Sequence, residues 1–392
     1  MSIPISLFDY NLPTERIAQA PVEPRDSSRL LVLEREGKGR KGEEREGKLE
    51  HRRFFEIIDY LKSGDVLVMN DTKVFKARLH GEVRGKKIEV FLLPPTGNSP
   101  SLTAAVGEGL GERGLLVGEG KGRGWNALLK PSRKVKIDDE IDFGELKAKV
   151  INKAEDGTVL LFFERNNSLT PPLHHSTTPP LQSSDILSFT DKHGEIPVPP
   201  YVKKIPDNLE AYQTVYARET GSVAAPTAGF HFTKELLEKI KEKGITIEFV
   251  TLHVGLGTFR PVKSETLEEH KMHSELVEIK KDVAHRINDA KKAGQRIIAV
   301  GTTTTRALEG VAMTNNGSLP ESGFLGEVNI FITPGFKFNI IDALITNFHL
   351  PKSTLLVLIS ALAGRENVIA AYEEAVKENY RFYSFGDAMF IC

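Results

Sequence analysis

Cysteine is almost absent from this chain. Its 392 residues include one, Cys392, at the last position. A single thiol excludes an internal disulfide and a cysteine-rich zinc site, and it is typical of a reducing compartment. The N-terminus lacks the pattern of a signal peptide, and the longest apolar run, near Leu355–Ala363, is too short to cross a bilayer. We therefore expect a cytoplasmic protein without membrane contacts.

An excess of charge of either sign is also missing. The 52 lysines and arginines nearly balance 53 acidic residues, which leaves a formal net charge of -1. No overall basic field attracts nucleic acid, so any such contact needs a local basic patch. The hydrophobic content of 40% is typical of globular proteins, and the length is enough for two or three domains with buried cores.

The pattern of apolar residues changes twice along the chain. Short apolar runs separated by turn residues fill 74–165, which is typical of a small barrel or sandwich. A linker rich in proline, serine and threonine follows at 166–184. Helical and strand patterns then alternate, which indicates an α/β domain. We predict a layered α/β main domain formed by 1–73 plus 166–392, with an inserted small antiparallel β-barrel domain at 74–165.

Polar loops recur in the later part of the chain, where a predicted strand ends or a helix begins. Ligands gather at such positions in α/β sheets. Thr302–Thr305 with Arg306 suit a carboxylate or phosphate, or else the threonines cap a helix and Arg306 is a surface charge. Thr233 is a predicted helix N-cap, and Val328–Ile332 is a predicted strand. The four loops are 221–233, 251–262, 300–309 and 344–354.

Histidine is concentrated in the same part of the chain. Imidazoles titrate near neutrality and suit proton transfer, although each one alone also fits a structural role. A zinc site is the alternative, because His270 and His273 are three residues apart with Glu269 and Glu275 nearby, but the HExxH pattern is missing. The five histidines in question are His231, His253, His270, His273 and His349.

Two basic runs lie within or beside the predicted barrel, at 73–87 and 121–136. Spaced cations with an aromatic residue, here Trp125, can follow a phosphate backbone. A solvated barrel face explains the same pattern. The candidate contacts to nucleic acid are Lys73, Lys76, Arg78, Arg133, Lys134 and Lys136.

Several long strings carry a family resemblance that spans nearly the whole chain in the expected order. They include FDYNLPTERIAQAPVEPRDSSRLLVL (8–33), GDVLVMNDTKVFKARLHG (64–81), YQTVYA (212–217), GSVAAPTAGFHFT (221–233), VTLHVGLGTFRPV (250–262), AVGTTTTRALE (299–309), ITNFHLPKSTLLVLISALAG (345–364) and YRFYSFGDAMF (380–390). At these residues the chain resembles the S-adenosylmethionine:tRNA ribosyltransferase-isomerases of queuosine biosynthesis.

The resemblance implies an α/β domain with an inserted β-barrel, and it implies a reaction. The ribosyl part of S-adenosylmethionine moves to preQ1 at the tRNA wobble position, which gives epoxyqueuosine-tRNA, adenine and methionine. S-adenosylmethionine is then a consumed co-substrate, with no recycled cofactor and no metal. We expect a monomer whose partner is tRNA carrying preQ1. The alternatives are a metal-dependent hydrolase using the His/Glu cluster and a non-catalytic RNA-binding module.

Chemical fit within the matching segments suggests site residues. The catalytic candidates are His231, His253 and His349, without assigned roles. Aromatic rings suit the sulfonium, Arg306 with Thr302 and Thr303 suits the methionyl carboxylate, and carboxylates or amides suit ribose hydroxyls or amines. We expect all of these groups to converge on one water-poor pocket. The substrate-binding candidates are Thr302, Thr303, Arg306, Phe230, Phe232, Phe259, Glu275, Asn347 and Asp387.

Overall fold

The computed structural model of the chain describes residues 2–35, 37–38, 44–45, 47–94, 123–166, 181–199, 201–203, 209–255, 264–270, 272 and 274–392. Chain contacts divide it into two compact units. The first consists of Met1–Lys73, Pro199–Glu219 and Ala225–Cys392, and the second of Val74–Val198 and Thr220–Ala224.

Strands and helices of both units are numbered in chain order. The strands are β1 (Arg29–Glu34), β2 (Gly37–Lys38), β3 (Glu44–Arg45), β4 (Lys48–Arg53), β5 (Val66–Asn70), β6 (Thr72–Val74), β7 (Arg78–Val83), β8 (Lys86–Leu92), β9 (Arg123–Lys130), β10 (Glu140–Asp142), β11 (Leu146–Lys153), β12 (Val159–Arg165), β13 (Glu219–Ser222), β14 (Thr246–Leu252), β15 (Glu275–Ile279), β16 (Ile297–Val300), β17 (Phe324–Val328), β18 (Ala343–Asn347) and β19 (Ala388–Ile391). The α-helices are α1 (Ile57–Tyr60), α2 (Ser183–His193), α3 (Lys234–Glu242), α4 (Lys281–Lys292), α5 (Thr302–Thr314), α6 (Thr354–Ala363) and α7 (Arg365–Lys377).

A nine-stranded sheet organises the first unit, in the order β17-β15-β14-β5-β16-β18-β19-β1-β4. The four central strands, β14, β5, β16 and β18, are parallel. Strand β19 runs antiparallel to β18, and β1 runs parallel to β19. The carboxyl ends of the four central strands therefore share one edge with the amino ends of β19 and β1. We call this edge the site edge.

Continuous apolar runs form the centre of this sheet. Strands β5, β16 and β18 are buried at every position, as expected for strands covered on both faces. Leu236, Leu237 and Ile240 of α3 pack into the core formed with these strands. The predicted N-cap is confirmed, because Oγ1 of Thr233 accepts a hydrogen bond of 3.2 Å from the Leu236 N–H. The predicted α/β class is confirmed.

The second unit contains a closed barrel in the order β10-β11-β12-β9-β8-β7, with antiparallel neighbours throughout. The inserted antiparallel barrel is therefore confirmed. The expected barrel domain ended at residue 165, whereas the second unit extends to Val198 and also includes Thr220–Ala224. Residues up to Val198 group with the barrel, because Ile186 and Phe189 of α2 pack in the barrel core.

The predicted strand Val328–Ile332 is wrong. Strand β17 ends at Val328, which pairs with Glu275, the first residue of β15. Residues after Val328 consequently lack a partner strand in this ladder, although Ile330 and Ile332 are buried. Apolar character indicated burial here, but hydrogen-bond pairing decided where the strand stopped.

Among the described residues, no single helix is long and apolar enough to cross a membrane. The helices α6 and α7 are long and apolar enough only when they are taken together, and they are bent by 116° relative to each other.

Gly386 provides a test of close packing in the first unit. A Cβ atom added there would lie 2.5 Å from the Arg381 carbonyl oxygen and 2.6 Å from the Phe382 carbonyl carbon. Because both are backbone atoms, we expect Gly386→Ala to lower the free energy of unfolding by about 1–3 kcal/mol in urea titrations. Gly255→Ala is the control, since an added Cβ there meets no atom of the described residues within 4 Å. Equal stability of the two variants would contradict this packing.

Candidate active site at one edge of the sheet

Candidate side chains from distant parts of the chain lie together at the site edge. His253 follows β14, and Asn347 ends β18. Thr302 begins α5 directly after β16, and Glu275 begins β15, which pairs antiparallel with β14. Ser28 precedes β1 and reaches the same place from the other half of the sheet. Three of the four expected loops therefore contribute to one edge. The fourth, 251–262, contributes His253, and its residues from 256 onward lie outside the described residues.

His231 lies at the end of a 3-10 helix, Thr227–His231, and is almost fully buried. Its Nδ1 is 2.7 Å from Oγ of Ser28, and its Nε2 is 2.9 Å from Nδ2 of Asn347. Oδ1 of Asn347 accepts a 3.0 Å bond from the Thr227 hydroxyl. The ring of Phe54 stacks on the imidazole at 5.0 Å. Both ring nitrogens are thus engaged.

This network sets the tautomer of His231. The Asn347 amide nitrogen can only donate, so Nε2 accepts and the proton resides on Nδ1, which donates to Ser28. Burial, and then the positive charges of Arg381 and Arg25, lower the pKa of His231 to about 3. The imidazole is therefore neutral at neutral pH. Ser28 and Thr227 were not among the candidates from the sequence, although Ser28 lies two residues before the apolar run Leu30–Leu33.

A small cavity of about 10 Å³, roughly the space of one water molecule, lies beside His231. Its wall includes Ser28, which bonds His231, and the ring of Phe230, which stacks on Phe385 with centroids 6.0 Å apart. The Arg25 guanidinium lies 5.3 Å from the centroid of Phe230. A protein cation thus already occupies one face of this ring.

His349 is held on several sides. Its ring Nε2 is 2.9 Å from the Thr346 hydroxyl. Its backbone N–H donates to the Tyr372 hydroxyl at 3.0 Å, and its backbone carbonyl accepts from the Tyr10 hydroxyl at 2.5 Å. Burial lowers the pKa of His349 to about 3. These contacts favour a structural role over the predicted catalytic one.

His253 differs from the other two histidines in being only partly buried. Its Nδ1 is 2.8 Å from the hydroxyl of Thr72, which begins β6 just after β5. Burial lowers the pKa of His253, while the carboxylates of Asp71 and Glu219 oppose that shift. A neutral imidazole held at one nitrogen suits a base. The sequence analysis missed Thr72, whose position after a buried strand was the available signal.

A buried ion pair joins Arg306 of α5 to Glu275 of β15, and each side chain is 7% exposed. Within the part of the chain that the structure describes, Nε of Arg306 and Oγ1 of Thr303 have no hydrogen-bond partner. Thr303 and Arg306 are three residues apart on one helix and so share a face. Incompletely paired polar groups in a buried place suit a polar ligand.

The start of α5 adds positive potential to the same place. Its N-cap is Gly301, with φ 89°, which has no side chain to accept the first N–H groups of the helix. Thr304 and Thr305 turn their hydroxyls to the carbonyls of Val300 and Gly301, so they do not cap these groups either. An uncapped helix start with Arg306 in its first turns favours a carboxylate or phosphate.

Two other candidates, Phe232 and Asp387, lie where the geometry does not support their predicted roles. Phe232 is fully buried in the core, with its ring 4.9 Å from Phe54 in an edge-to-face contact. The carboxylate of Asp387 accepts hydrogen bonds from the backbone N–H groups of Arg29 and Arg381, and so ties β1 to the segment before β19. Phe259 lies outside the described residues.

The six basic candidates divide into two groups. Nζ of Lys76 donates to the Asp191 carbonyl at 2.8 Å, and Arg78 lies near Glu89 and Glu195. Exposed positions are occupied by the remaining four, Lys73, Arg133, Lys134 and Lys136. The last three share one loop, whose carbonyls at Ser132 and Val135 accept hydrogen bonds from Nζ of Lys153.

The described residues include no cluster of side chains that could form the alternative zinc site. No group of three or more histidine, cysteine, aspartate or glutamate side chains there is placed for a metal. His270 packs its ring against Phe331 at 5.3 Å, and His273 lies outside the described residues.

These features define an α/β protein with an inserted barrel and a candidate polar site at the carboxyl ends of its parallel strands. The chain belongs to the queuosine biosynthesis protein family, whose model matches residues 5–391. It is also similar to the crystal structure of the S-adenosylmethionine tRNA ribosyltransferase from Thermotoga maritima. The identity is 36% over 99% of this chain and 100% of that chain, with a TM-score of 0.51. The resemblance found in the sequence is confirmed, and neither alternative class is favoured.

Protonation of the buried histidines should destabilise the fold. Below pH 6.5 the unfolded chain binds protons that folded His231 and His349 refuse until about pH 3. The free energy of unfolding should therefore fall as pH drops through this window, by about 1.4 kcal/mol per pH unit for each histidine. Urea titrations from pH 7.5 to 4.5 measure the slope.

His349→Gln should reduce that slope by the contribution of one histidine. Thr346→Val is the matched control, because it removes a hydrogen bond to His349 but keeps the titrating imidazole. Identical slopes for the parent and His349→Gln would contradict the assigned shift.

Proposed function

We propose that this protein transfers the ribosyl part of S-adenosylmethionine to preQ1 at the tRNA wobble position. The products are epoxyqueuosine-tRNA, adenine and methionine. The observation that carries this proposal is family membership over residues 5–391. The 36% identity to an S-adenosylmethionine tRNA ribosyltransferase supports it, as does the polar site edge. A cytoplasmic, monomeric protein stays a prediction.

His253 is the proposed base. The chemistry begins with removal of a proton from the carbon beside the sulfonium, and the base must be neutral and positioned. Burial keeps the pKa of His253 below its ordinary value, and Thr72 orients the ring through Nδ1. His253 is also the least buried of the three candidate histidines, so a substrate reaches it with the least rearrangement. The neutral His231–Asn347 pair, at the end of β18 on the same edge, contributes hydrogen bonds rather than charge.

The buried pair at the site edge suits the methionyl end of the donor. That end carries a carboxylate and an ammonium group, which are complementary to Arg306 and Glu275 respectively. Thr302 and Thr303 bring the uncapped start of α5 to the carboxylate side. Binding of a zwitterion thereby supplies partners to Nε of Arg306 and Oγ1 of Thr303, which have none among the described residues.

The barrel loop with Arg133, Lys134 and Lys136 is the proposed contact to tRNA. These three side chains are exposed and lie within four residues of one another. Described ion pairs of the barrel do not include them. Their positive charge is therefore available to phosphates, whose neutralisation dominates affinity for nucleic acid.

Adenine release tests the reaction. Purified protein incubated with S-adenosylmethionine and preQ1-containing tRNA should release free adenine, measured by chromatography, and omission of either substrate should abolish it. His253→Ala should lower kcat for this release by about 100-fold or more, with smaller change in KM. His285→Ala, a partly exposed histidine of α4, is the control. Full turnover by His253→Ala removes it from the mechanism, and no adenine from the parent overturns the proposed reaction.

Charge reversal tests the RNA contact. The triple variant Arg133→Glu, Lys134→Glu and Lys136→Glu should weaken tRNA binding and reduce the slope of log affinity against log salt by about 3. Reversal of three exposed lysines of the first unit, Lys234, Lys239 and Lys281, gives the same change in net charge and serves as the control. Unchanged affinity of the barrel variant at moderate salt would place the RNA elsewhere.

A further inference from the structure

Two buried polar atoms of α5 and two of the 212–217 segment have no hydrogen-bond partner among the described residues. They are Oγ1 of Thr214, Oη of Tyr216, Oγ1 of Thr303 and Nε of Arg306. Native proteins pair nearly all buried donors, because an unpaired one costs free energy. One such atom alone suggests a trapped water. Four of them, contributed by neighbouring segments, call for a common explanation.

Tyr216 is held tightly against the segment that carries His231. Its side chain is 9% exposed, and its ring packs on Phe249 with centroids 5.6 Å apart. A Cβ atom on Gly229 would lie 1.9 Å from Oη of Tyr216 and 2.7 Å from Cγ2 of Thr214. The phenol hydroxyl therefore touches the backbone at a position where only glycine fits.

The same segment connects Tyr216 to the start of α5. Ala228, the neighbour of Gly229, lies 3.6 Å from the position that a Cβ of Gly301 would take. Oγ1 of Thr303 lies 3.5 Å from that position. Gly229 thus contacts the Tyr216 hydroxyl, and its neighbour Ala228 lies close to Gly301 and the Thr303 hydroxyl. Arg306 is about one helical turn after Thr303.

The surroundings of Tyr216 select the kind of group that it can bind. Burial, and then the Asp71 carboxylate, raise the pKa of Tyr216, so the hydroxyl keeps its proton and remains a donor. The negative charge of Asp71 disfavours an anion nearby. An uncharged acceptor fits, whereas the carboxylate of the same ligand fits Arg306.

We propose that Tyr216 is a substrate-binding residue whose hydroxyl donates a hydrogen bond to an uncharged acceptor atom of the nucleoside part of S-adenosylmethionine. This assignment rests on the proposed function. It adds to the site a residue from the 212–217 segment, which matches the family in sequence but supplied no site candidate. S-adenosylmethionine provides the acceptor that this hydroxyl does not find among the described residues.

Tyr216→Phe separates ligand binding from a structural role. Removal of an unpaired hydroxyl should leave the unfolding midpoint of the unliganded protein unchanged or higher. The same variant should raise the Kd for S-adenosylmethionine on the order of fivefold to tenfold, measured by calorimetry. Tyr380→Phe is the matched control, because its buried hydroxyl is paired with Nδ1 of His51 at 2.9 Å. That variant should lower the midpoint and leave the Kd unchanged.

The outcomes distinguish this inference from the proposed function. A lower midpoint with an unchanged Kd for Tyr216→Phe would show a hydroxyl paired with trapped water, and would overturn the inference alone. An unchanged midpoint with an unchanged Kd would overturn it too. A parent protein that fails to bind S-adenosylmethionine would overturn the proposed function together with this inference.

Discussion

Hydrogen-bonded alignment of β14, β5, β16 and β18 is the constraint on which the candidate site depends. The ladders set Val250 opposite Asn70, Met69 opposite Val300, and Val300 opposite Ile345. Parallel strands in this register end at one edge, so the residues that follow them meet there. Because β19 and β1 run the other way relative to β18, their first residues arrive at the same edge. Groups separated by more than 300 positions in the chain thereby become neighbours.

Some polar side chains at the site edge have all their hydrogen bonds within the protein, and others do not. The first kind stabilises the fold, and the second kind can bind a ligand. His231, His349 and Asp387 use their polar atoms on protein partners, which fixes ring orientations and ties strands together. Nε of Arg306 and Oγ1 of Thr303 have no partner in the described part of the chain. Complete networks rigidify a fold, whereas incomplete ones cost stability unless a ligand completes them. Local violations of good packing are expected at functional sites.

Both units show how far sequence patterns reach. Alternating helical and strand patterns predicted the α/β domain, and short apolar runs between turn residues predicted the barrel. Strand β15 was missed, because ELVEI is short and its place depends on ladders with β14 and β17. The expected domain boundary left α2 with the α/β part, because a polar linker in the sequence does not reveal that Ile186 and Phe189 reach the barrel core.

Local chemistry in the sequence determined the fold class, the N-cap at Thr233, the inserted barrel and the family, since each depends on residues near one another in the chain. Tertiary structure alone decided which candidates have partners. Asp387 and Phe232 match the family strings as well as His253 does, yet one is tied to backbone N–H groups and the other is buried in the core. Tyr216 gave no sequence signal, because an unpaired hydroxyl is defined by what surrounds it. Those surroundings come from segments that only strand pairing and packing bring together.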